Sequence, residues 1–387
     1  MTLKPKAVVA AGSGAAGPKG RESRRPKAVV AMSGGVDSSV AAALLVERGY
    51  DVTGIMLKLW RGEAANLDSG CCNVGAAADA RRVADVLGIP FYVLNFAERF
   101  EDTVIANFHA DYASGRTPNP CVRCNQWIKF DALLERAQTL GADVLATGHY
   151  ARVRSDSGRH RLLRGVDHNK DQSYVLWMLD QAKLARTLFP VGDMAKTETR
   201  RIAGELGLRT ANKPDSQEIC FVRNGDLPAY VDEHIGAANE PGPMVTSNGE
   251  RVGEHRGIAH YTVGQRKGLG ISLGMPVFVS SIDAETNTIV VGERGELGCG
   301  GFLATEVSWV DEPAGAGREI LVQYRSHGDV HAARIETSEP ARAEVVFDRP
   351  VEAVARGQSA AFYDAARPEE LLGGGVISST VAATAGV

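Results

Sequence analysis

Residues Lys27–Ser39 read KAVVAMSGGVDSS, and their interpretation decides the fold. The apolar run Ala28–Met32 predicts a buried strand, and VAAALLVERG from Val40 predicts a helix. Between them, Ser33, Gly34 and Gly35 allow a sharp turn that brings backbone N–H groups close to an anion. Ser38 or Ser39 can cap the helix, and the amides and dipole at its start favour a phosphate. No Gly-Lys-Ser/Thr follows, so this is not the loop that grips β- and γ-phosphates in P-loop NTPases.

Working outward, strand-like and helix-like segments alternate to about residue 210, through DVTGIMLKLW, AAADARRVADVLG, IPFYVLNF, FDALLERAQTLG and ADVLATGHY. This alternation predicts an α/β domain with a doubly wound parallel sheet. Ligands of such sheets sit at the carboxyl ends of the strands, where the Ser33–Ser39 loop lies. Arg61–Val74 reads as a loop, and residues 183–210 as helices broken at Pro190 and Gly192. After about residue 235 glycine becomes frequent, apolar positions alternate, and turn signals recur. FVSSIDAETNTIVVG predicts a hairpin, and EILVQYR, ARAEVVFD and SAAFYD predict further strands. The expected division is a disordered basic tail over 1–26, the α/β domain over 27–235, a small central β-rich domain over 236–300, and a C-terminal β-barrel-like domain over 301–380. The last dozen residues are expected to fray.

A chain of 387 residues predicts two or three domains, and its 44% apolar and 23% charged content is that of a soluble globular protein. No apolar run approaches the ~20 residues that span a bilayer, so no membrane association is expected. The N-terminal stretch lacks the continuous apolar core of a secretory signal, so a cytoplasmic location is expected, with a monomer as the expected state. The net charge of −4 hides an asymmetry. Residues 1–27 carry seven Lys or Arg against one Glu, leaving about −10 on the rest, so nucleic acid would have to bind local basic patches. ARVRSDSGRHRLLRG is one candidate patch.

Six cysteines, at 71, 72, 121, 124, 220 and 299, are few for this length and point to chemistry rather than a disulfide framework. In TPNPCVRCNQWIKF the two prolines force an extended loop, leaving Cys124 near the start of a helix with Arg123 and Lys129 close by. A thiol so placed is a good nucleophile. Cys121 and Cys124 form a C-x-x-C with no second pair to complete a zinc site. Cys71 and Cys72 read as loop residues, Cys299 as non-catalytic, and Trp60, Trp127 and Trp177 as packing residues.

SGGVDSS resembles the pyrophosphate loop of ATP pyrophosphatases. In order, the chain also carries LKLW, CCN at 71–73, DARRVADVLGIP, TPNPCVRCN, KFDALL, ATGHYAR, NKDQSYVL, FPVGDMAKTETRRIA, KPDSQEICFV, HYTVGQRKGLG and QYRS. Together these resemble the tRNA-specific 2-thiouridylases over roughly residues 27–330, a family that thiolates the wobble uridine of tRNA. The resemblance implies ATP contacts at Ala31, Met32, Ser33, Gly34, Gly35, Val36, Asp37, Ser38, Ser39, Leu57 and Gly148, with Mg²⁺ neutralising the pyrophosphate. It implies that the uridine C2 oxygen is adenylated, that Cys220 carries a persulfide, and that Cys124 is the nucleophile. Those two cysteines would end the cycle as a disulfide, with sulfur supplied by an upstream persulfide donor. It implies tRNA contacts at Asn119, Pro120 and Cys121, and at His149, Lys170, Asp171, Gln172, Tyr324, Arg325 and Gln358. Many members carry Asp where this chain has Cys121, so a carboxylate is missing there. An iron–sulfur cluster on Cys121, Cys124 and Cys220 is the alternative to the persulfide route. A synthetase of the same loop class, an RNA-binding protein without catalysis, and a bare sulfur carrier remain as rival functions.

Overall fold

The computed structural model describes residues 24–59, 74–215 and 219–383. The expectations for the N-terminal tail to residue 23, for Trp60, and for the loop carrying Cys71 and Cys72 lie outside these residues.

The first strands are β1 (Lys27–Ala31), β2 (Asp51–Lys58), β3 (Phe91–Asn95) and β4 (Val144–Ala146). A hairpin follows, β5 (Ala151–Asp156) and β6 (Arg159–Arg164), and then β7 (Thr187–Leu188). β3-β2-β1-β4-β7 form one parallel sheet. The chain between strands is helical: α1 (Val36–Glu47), α2 (Val74–Leu87), α3 over 97–113 and α4 over 120–139. The middle of α3, Glu101–Ile105, and of α4, Cys124–Leu133, has the wider π pitch. α5 (Lys196–Glu205) and α6 (Leu227–His234) follow, with shorter helical turns such as Gln181–Leu184 between strands. Separate apolar cores include β1's Val29 and its neighbours Val30 and Ala28, so the strand is buried on both sides, as its unbroken apolar run requires. Residues 183–210 are not all helical. Thr187 and Leu188 pair with Leu145 and Ala146, a tertiary contact that overrides a short segment with no decisive periodicity.

The central strands are β8 (Gly242–Thr246), β9 (Arg251–His255), β10 (Phe278–Asp283) and β11 (Thr288–Gly292), the last two being the expected hairpin. The C-terminal strands are β12 (Gly298–Trp309), β13 (Glu319–Gln323), β14 (His331–Glu339), β15 (Arg342–Glu352), β16 (Ser359–Asp364) and β17 (Glu370–Ala382). β12 pairs with both β15 and β17 and closes these six into a barrel. Of the last dozen residues, 376–382 do not fray, because β17 stays paired to Ala382, opposite Cys299, and residues 384–387 lie outside the described residues. Among the described residues no helix is long and apolar enough to cross a membrane.

Among the contacts that lock the barrel to the parallel-sheet domain, two involve its backbone. β6 extends the barrel sheet by pairing Leu162 and Leu163 with Leu371 and Glu370 of β17. The arginines of this hairpin, read above as a phosphate patch, pair with carboxylates: Arg152 with Glu369, Arg154 with Asp193, and Arg164 with Asp171. Second, the loop before α4 lies on the barrel. Thr117 N donates to Arg356 O at 2.8 Å, and Gln358 Nε2 donates to Thr117 O at 3.2 Å. Gly357 makes the close approach possible: its φ is +89°, and a Cβ there would stand 2.9 Å from Arg116 Cβ and 3.0 Å from Thr117 N. Gly357→Ala therefore combines backbone strain with a clash, and should lower unfolding free energy by about 1–3 kcal/mol in denaturant titration. A loss under about 0.5 kcal/mol would show that the loop can move away from the barrel without cost.

Candidate active site

The strand order reverses between β1 and β4, and a doubly wound sheet has its crevice at such a point. Both flanking loops are built on glycine. Gly34 has φ +72°, and a Cβ there would lie 2.3 Å from Ala76 O. A Cβ on Gly148, just past β4, would lie 2.6 Å from Ser38 N, so only glycine lets this loop touch the start of α1. Ser38 and Ser39 do not cap that helix. Its N-cap is Gly35, with no side-chain acceptor, and both serines sit far enough inside to donate back to Gly35 O, at 3.3 and 2.7 Å. Ser38 Oγ also accepts from Ser33 N at 3.1 Å. The hydroxyls thus brace the turn, and the first amides of α1 are left without a side-chain cap, which suits an anion.

A cleft of about 850 Å³ opens from this loop. Ala31, Met32, Ser33, Gly35, Val36, Asp37, Ser38, Leu57 and Gly148 line it, with Leu57 contributed by the end of β2, whereas Gly34 and Ser39 support the wall from behind. Asp37, in the first turn of α1, accepts from Lys196 Nζ at 2.7 and 2.8 Å and from Tyr150 Oη at 2.8 Å. Lys196 also pairs with Asp215 at 2.8 Å, and Asp215 receives Lys170 and Arg200 as well. Burial would raise the Asp215 carboxyl, but the bonds and charges of Lys170 and Lys196 outweigh it and hold it below the usual range. Lys213 donates to Gly34 O at 3.1 Å and to Asp79 at 3.0 Å. Lys196, Lys213, Asp215 and Tyr150 were not singled out from the sequence. Their signal was present in FPVGDMAKTETRRIA, KPDSQEICFV and ATGHYAR, which carry them.

The same cleft takes in Cys121, Cys124 and Cys220. α4 begins earlier than its prolines suggest, with Asn119 as N-cap accepting from Val122 N at 3.2 Å and Pro120 in the first turn. Cys121 therefore occupies the first turn and Cys124 the next. Cys124 opens the π segment, whose i to i+5 repeat brings Lys129 round to the same cleft. Arg123 does not lie open beside the thiol, because it is buried and paired with Glu306 at 2.7 Å. Cys121 is exposed and Cys124 and Cys220 are half-buried. Phe221 anchors the segment after Cys220 against Phe108 (4.8 Å between ring centres) and Tyr230 (5.4 Å). Among the described residues no three His, Cys, Asp or Glu side chains converge as a metal site.

Pro120, His149, Lys170, Asp171 and Gln172 also line the cleft. Asp171 is occupied by Arg164, Ser173 and Gly165 N, and Gln172 accepts from Tyr150 N. His149 is buried between Phe130 and Phe189, with Nδ1 2.7 Å from Thr147 Oγ1. Three further residues lie on the barrel outside the cleft lining. Tyr324 Oη donates to Glu352 O, Arg325 donates to the carbonyls of Glu352 and Ala353, and Gln358 holds the Thr117 loop. The barrel's contributions to the lining are instead Gln323, Ser326 and His327. Cys299 is in the barrel core, its thiol donating to Gly301 O at 3.0 Å. Trp177 is fully buried.

Comparison with known proteins matches this architecture piece by piece. Family models described as tRNA methyl transferase HUP domain, tRNA methyl transferase PRC-barrel domain and aminomethyltransferase beta-barrel domain match residues 26–224, 228–293 and 300–377. The tRNA-specific 2-thiouridylase MnmA of Carboxydothermus hydrogenoformans is 48% identical over 360 residues, covering 91% of this chain and 98% of the relative. That of Heliobacterium modesticaldum is 47% identical, covering 90% and 91%. A solved 4-thiouridine synthetase–RNA complex with bound ATP is 16% identical, with a TM-score of 0.36 over 54% of this chain and 50% of its own. The fold and cleft are those of an ATP pyrophosphatase of the pyrophosphate-loop class. Within that class the chain belongs to the tRNA-specific 2-thiouridylase family.

His149 gives the site a measurable pH dependence. Burial, and then the Lys129 charge, hold its imidazole well below the ordinary histidine value. The unfolded chain therefore takes up the proton first, at about pH 6.5, so stability is full above that value and declines as the pH falls below it. His149→Gln should flatten the decline of unfolding free energy between about pH 7 and 5. It should not abolish it, because burial shifts His109, His255 and His260 the same way. An unchanged slope would mean that His149 is accessible to protons in the folded state.

Proposed function

We propose that this protein uses ATP to convert the wobble uridine of tRNA to 2-thiouridine. The observation that carries the reading is the convergence of a pyrophosphate loop and three cysteines on one cleft, in a chain nearly half identical to 2-thiouridylases along almost its whole length. The α1 amides, with Ser33 to Ser39, hold the phosphates, and Lys196, Lys213 and Lys170 supply positive charge around them. Attack of the uridine C2 oxygen on the α-phosphorus expels pyrophosphate and leaves C2 bearing AMP, a better leaving group than oxide. Mg²⁺ bound with the ATP phosphates would neutralise the leaving pyrophosphate, and Asp37, whose oxygens accept from Lys196 and Tyr150, is the carboxylate at the phosphate loop that would face it.

Sulfur transfer then uses two cysteines. The terminal sulfur of a Cys220 persulfide attacks C2 and AMP departs. The Cys124 thiolate attacks Cys220 Sγ, which breaks the sulfur–sulfur bond, frees the 2-thiouridine and leaves a Cys124–Cys220 disulfide. Two electrons from a cellular thiol reset the pair, and an upstream persulfide protein reloads Cys220. Asn119, Pro120 and Cys121 meet the target base. His149, Lys170, Asp171 and Gln172 line its approach, and exposed Arg325 faces the tRNA from the barrel, with buried Tyr324 and half-buried Gln358 behind it. The three cysteines form no converging metal-ligand group as arranged, which favours the persulfide route over an iron–sulfur cluster. The enzyme works as a cytoplasmic monomer.

The test is a thiolation assay with unmodified tRNA, ATP, Mg²⁺ and a persulfide source, on protein prepared with and without air. Cys124→Ser and Cys220→Ser should lose 2-thiouridine entirely, while Cys121→Ser keeps it. A requirement for all three, confined to anaerobic protein with bound iron, would replace the persulfide route by a cluster. No 2-thiouridine from wild type under either preparation would return the protein to the synthetases, and full product from both Cys124→Ser and Cys220→Ser would remove the two-cysteine route.

A further inference from the structure

We propose that the Arg123–Glu306 ion pair is a positioning device through which the barrel sets the facing of Cys121 and Cys124 toward the cleft. The inference rests on reading Cys124 as the sulfur-transfer cysteine. Arg123 precedes Cys124 directly, and its side chain is only 8% exposed. Two of its nitrogens meet the two Glu306 oxygens at 2.7 Å each, a further bond reaches Gln126 Oε1 at 3.0 Å, and the guanidinium lies 4.7 Å from the Trp127 ring centre. A buried guanidinium with a bidentate partner has one favourable orientation and leaves an uncompensated charge when that partner is removed.

The barrel strand is distorted at the point of contact. Glu306 has φ +51° in β12, within the irregular stretch between Thr305 and Ser308 where pairing with β17 shifts register. A left-handed backbone at a non-glycine residue persists only where its surroundings demand it. The other anchors of this segment, Thr117 to Arg356 and Gln358 to Thr117, involve backbone groups and fix where the loop lies. Arg123 fixes rotation. Arg123 ends the α-helical turn, where successive residues point roughly 100° apart, and Cys124 opens the π segment beside it. Holding Arg123 on the barrel therefore turns Cys124, and Cys121 three positions before it, to another side, which is the cleft.

The experiment uses the full-length enzyme with Glu306→Gln, Arg123→Lys and the exchanged pair Arg123→Glu/Glu306→Arg. Each is followed by pyrophosphate release, single-turnover thiouridine formation, KM for tRNA, and the relative alkylation rates of Cys121 and Cys124 by iodoacetamide, read by peptide mass spectrometry. In Glu306→Gln, thiouridine formation should slow about 10- to 100-fold, as expected for a misplaced reacting group, with KM and pyrophosphate release within about twofold of wild type. The ratio of alkylation rates should shift with it. Arg123→Lys, which keeps the charge and loses the fork, should behave likewise and carries the test if Glu306→Gln does not fold. The exchanged pair should recover at least part of the rate. Parallel loss of pyrophosphate release and thiolation, or no change in either rate or alkylation ratio, would overturn the proposal. The alkylation ratio reads positioning without reference to catalysis. A fully active Cys124→Ser would thus remove the nucleophile reading alone, whereas an inactive Cys124→Ser beside an unaffected Glu306→Gln would remove the positioning role alone.

Discussion

The Lys196 ammonium, held between the carboxylates of Asp37 and Asp215, joins the three segments that make the cleft. Asp37 belongs to the first turn of α1, Lys196 opens α5, and Asp215 lies on the run toward Cys220. Only about a tenth of the lysine side chain is exposed, so its charge must be matched locally. Two carboxylates against one ammonium leave a surplus of negative charge, which Lys170 and Arg200 balance at Asp215 and Tyr150 eases at Asp37. α5 is fixed in turn by Asp167, which accepts from Lys196 N at 2.9 Å where the helix has no cap of its own. In the proposed reaction a polyphosphate entering this network would meet lysines already gathered and oriented. That lowers the ordering cost of binding.

The barrel supports the other half of the cleft. Its residues 356–358 hold the loop before α4, Glu306 holds Arg123, Ser359 O accepts from Tyr174, and Tyr363 Oη lies 2.9 Å from Ser173 Oγ. β17 carries three successive glycines because Trp177 and neighbouring backbone leave no room for side chains. A Cβ on Gly374 would meet Ala360 O at 2.5 Å and Trp177 Cβ at 2.7 Å. These contacts join segments 183 to 241 positions apart, so the barrel and the parallel-sheet domain form one scaffold around the site.

What was legible in the sequence was what is local. The strand–loop–helix at Lys27–Glu47, the parallel sheet and the β10–β11 hairpin follow from periodicity and turn chemistry, and the motifs carried the cysteines. Features set by partners distant in sequence were not legible. β7 is two residues long and exists through its pairing with β4, and β17 hides its strand character behind Gly373–Gly375. The arginines of β5 and β6 looked available for phosphate until the fold brought Glu369 and Asp193 to them. Arg123 looked like an activator of its neighbouring thiol, and only the barrel's Glu306, 183 positions away, shows where its charge is matched.

Cys124 and Cys220 are 96 positions apart, and different physics brings each to the cleft. Cys220 is followed by Phe221, which is 5% exposed among Phe100, Phe108 and Tyr230. Burying such a ring is worth about 1.5–3 kcal/mol, with about 0.5–1.5 kcal/mol more for each well-placed aromatic pair. That is several times thermal energy and nearly independent of salt. Cys124 instead sits on a helix whose neighbouring residue is held by charge to another domain. A hydrophobic anchor fixes depth without demanding one rotation, whereas a bidentate ion pair demands one rotation and tolerates little else. The proposed transfer of one sulfur atom between two cysteines and a base would use both constraints, and the chain carries each on the residue adjoining the thiol.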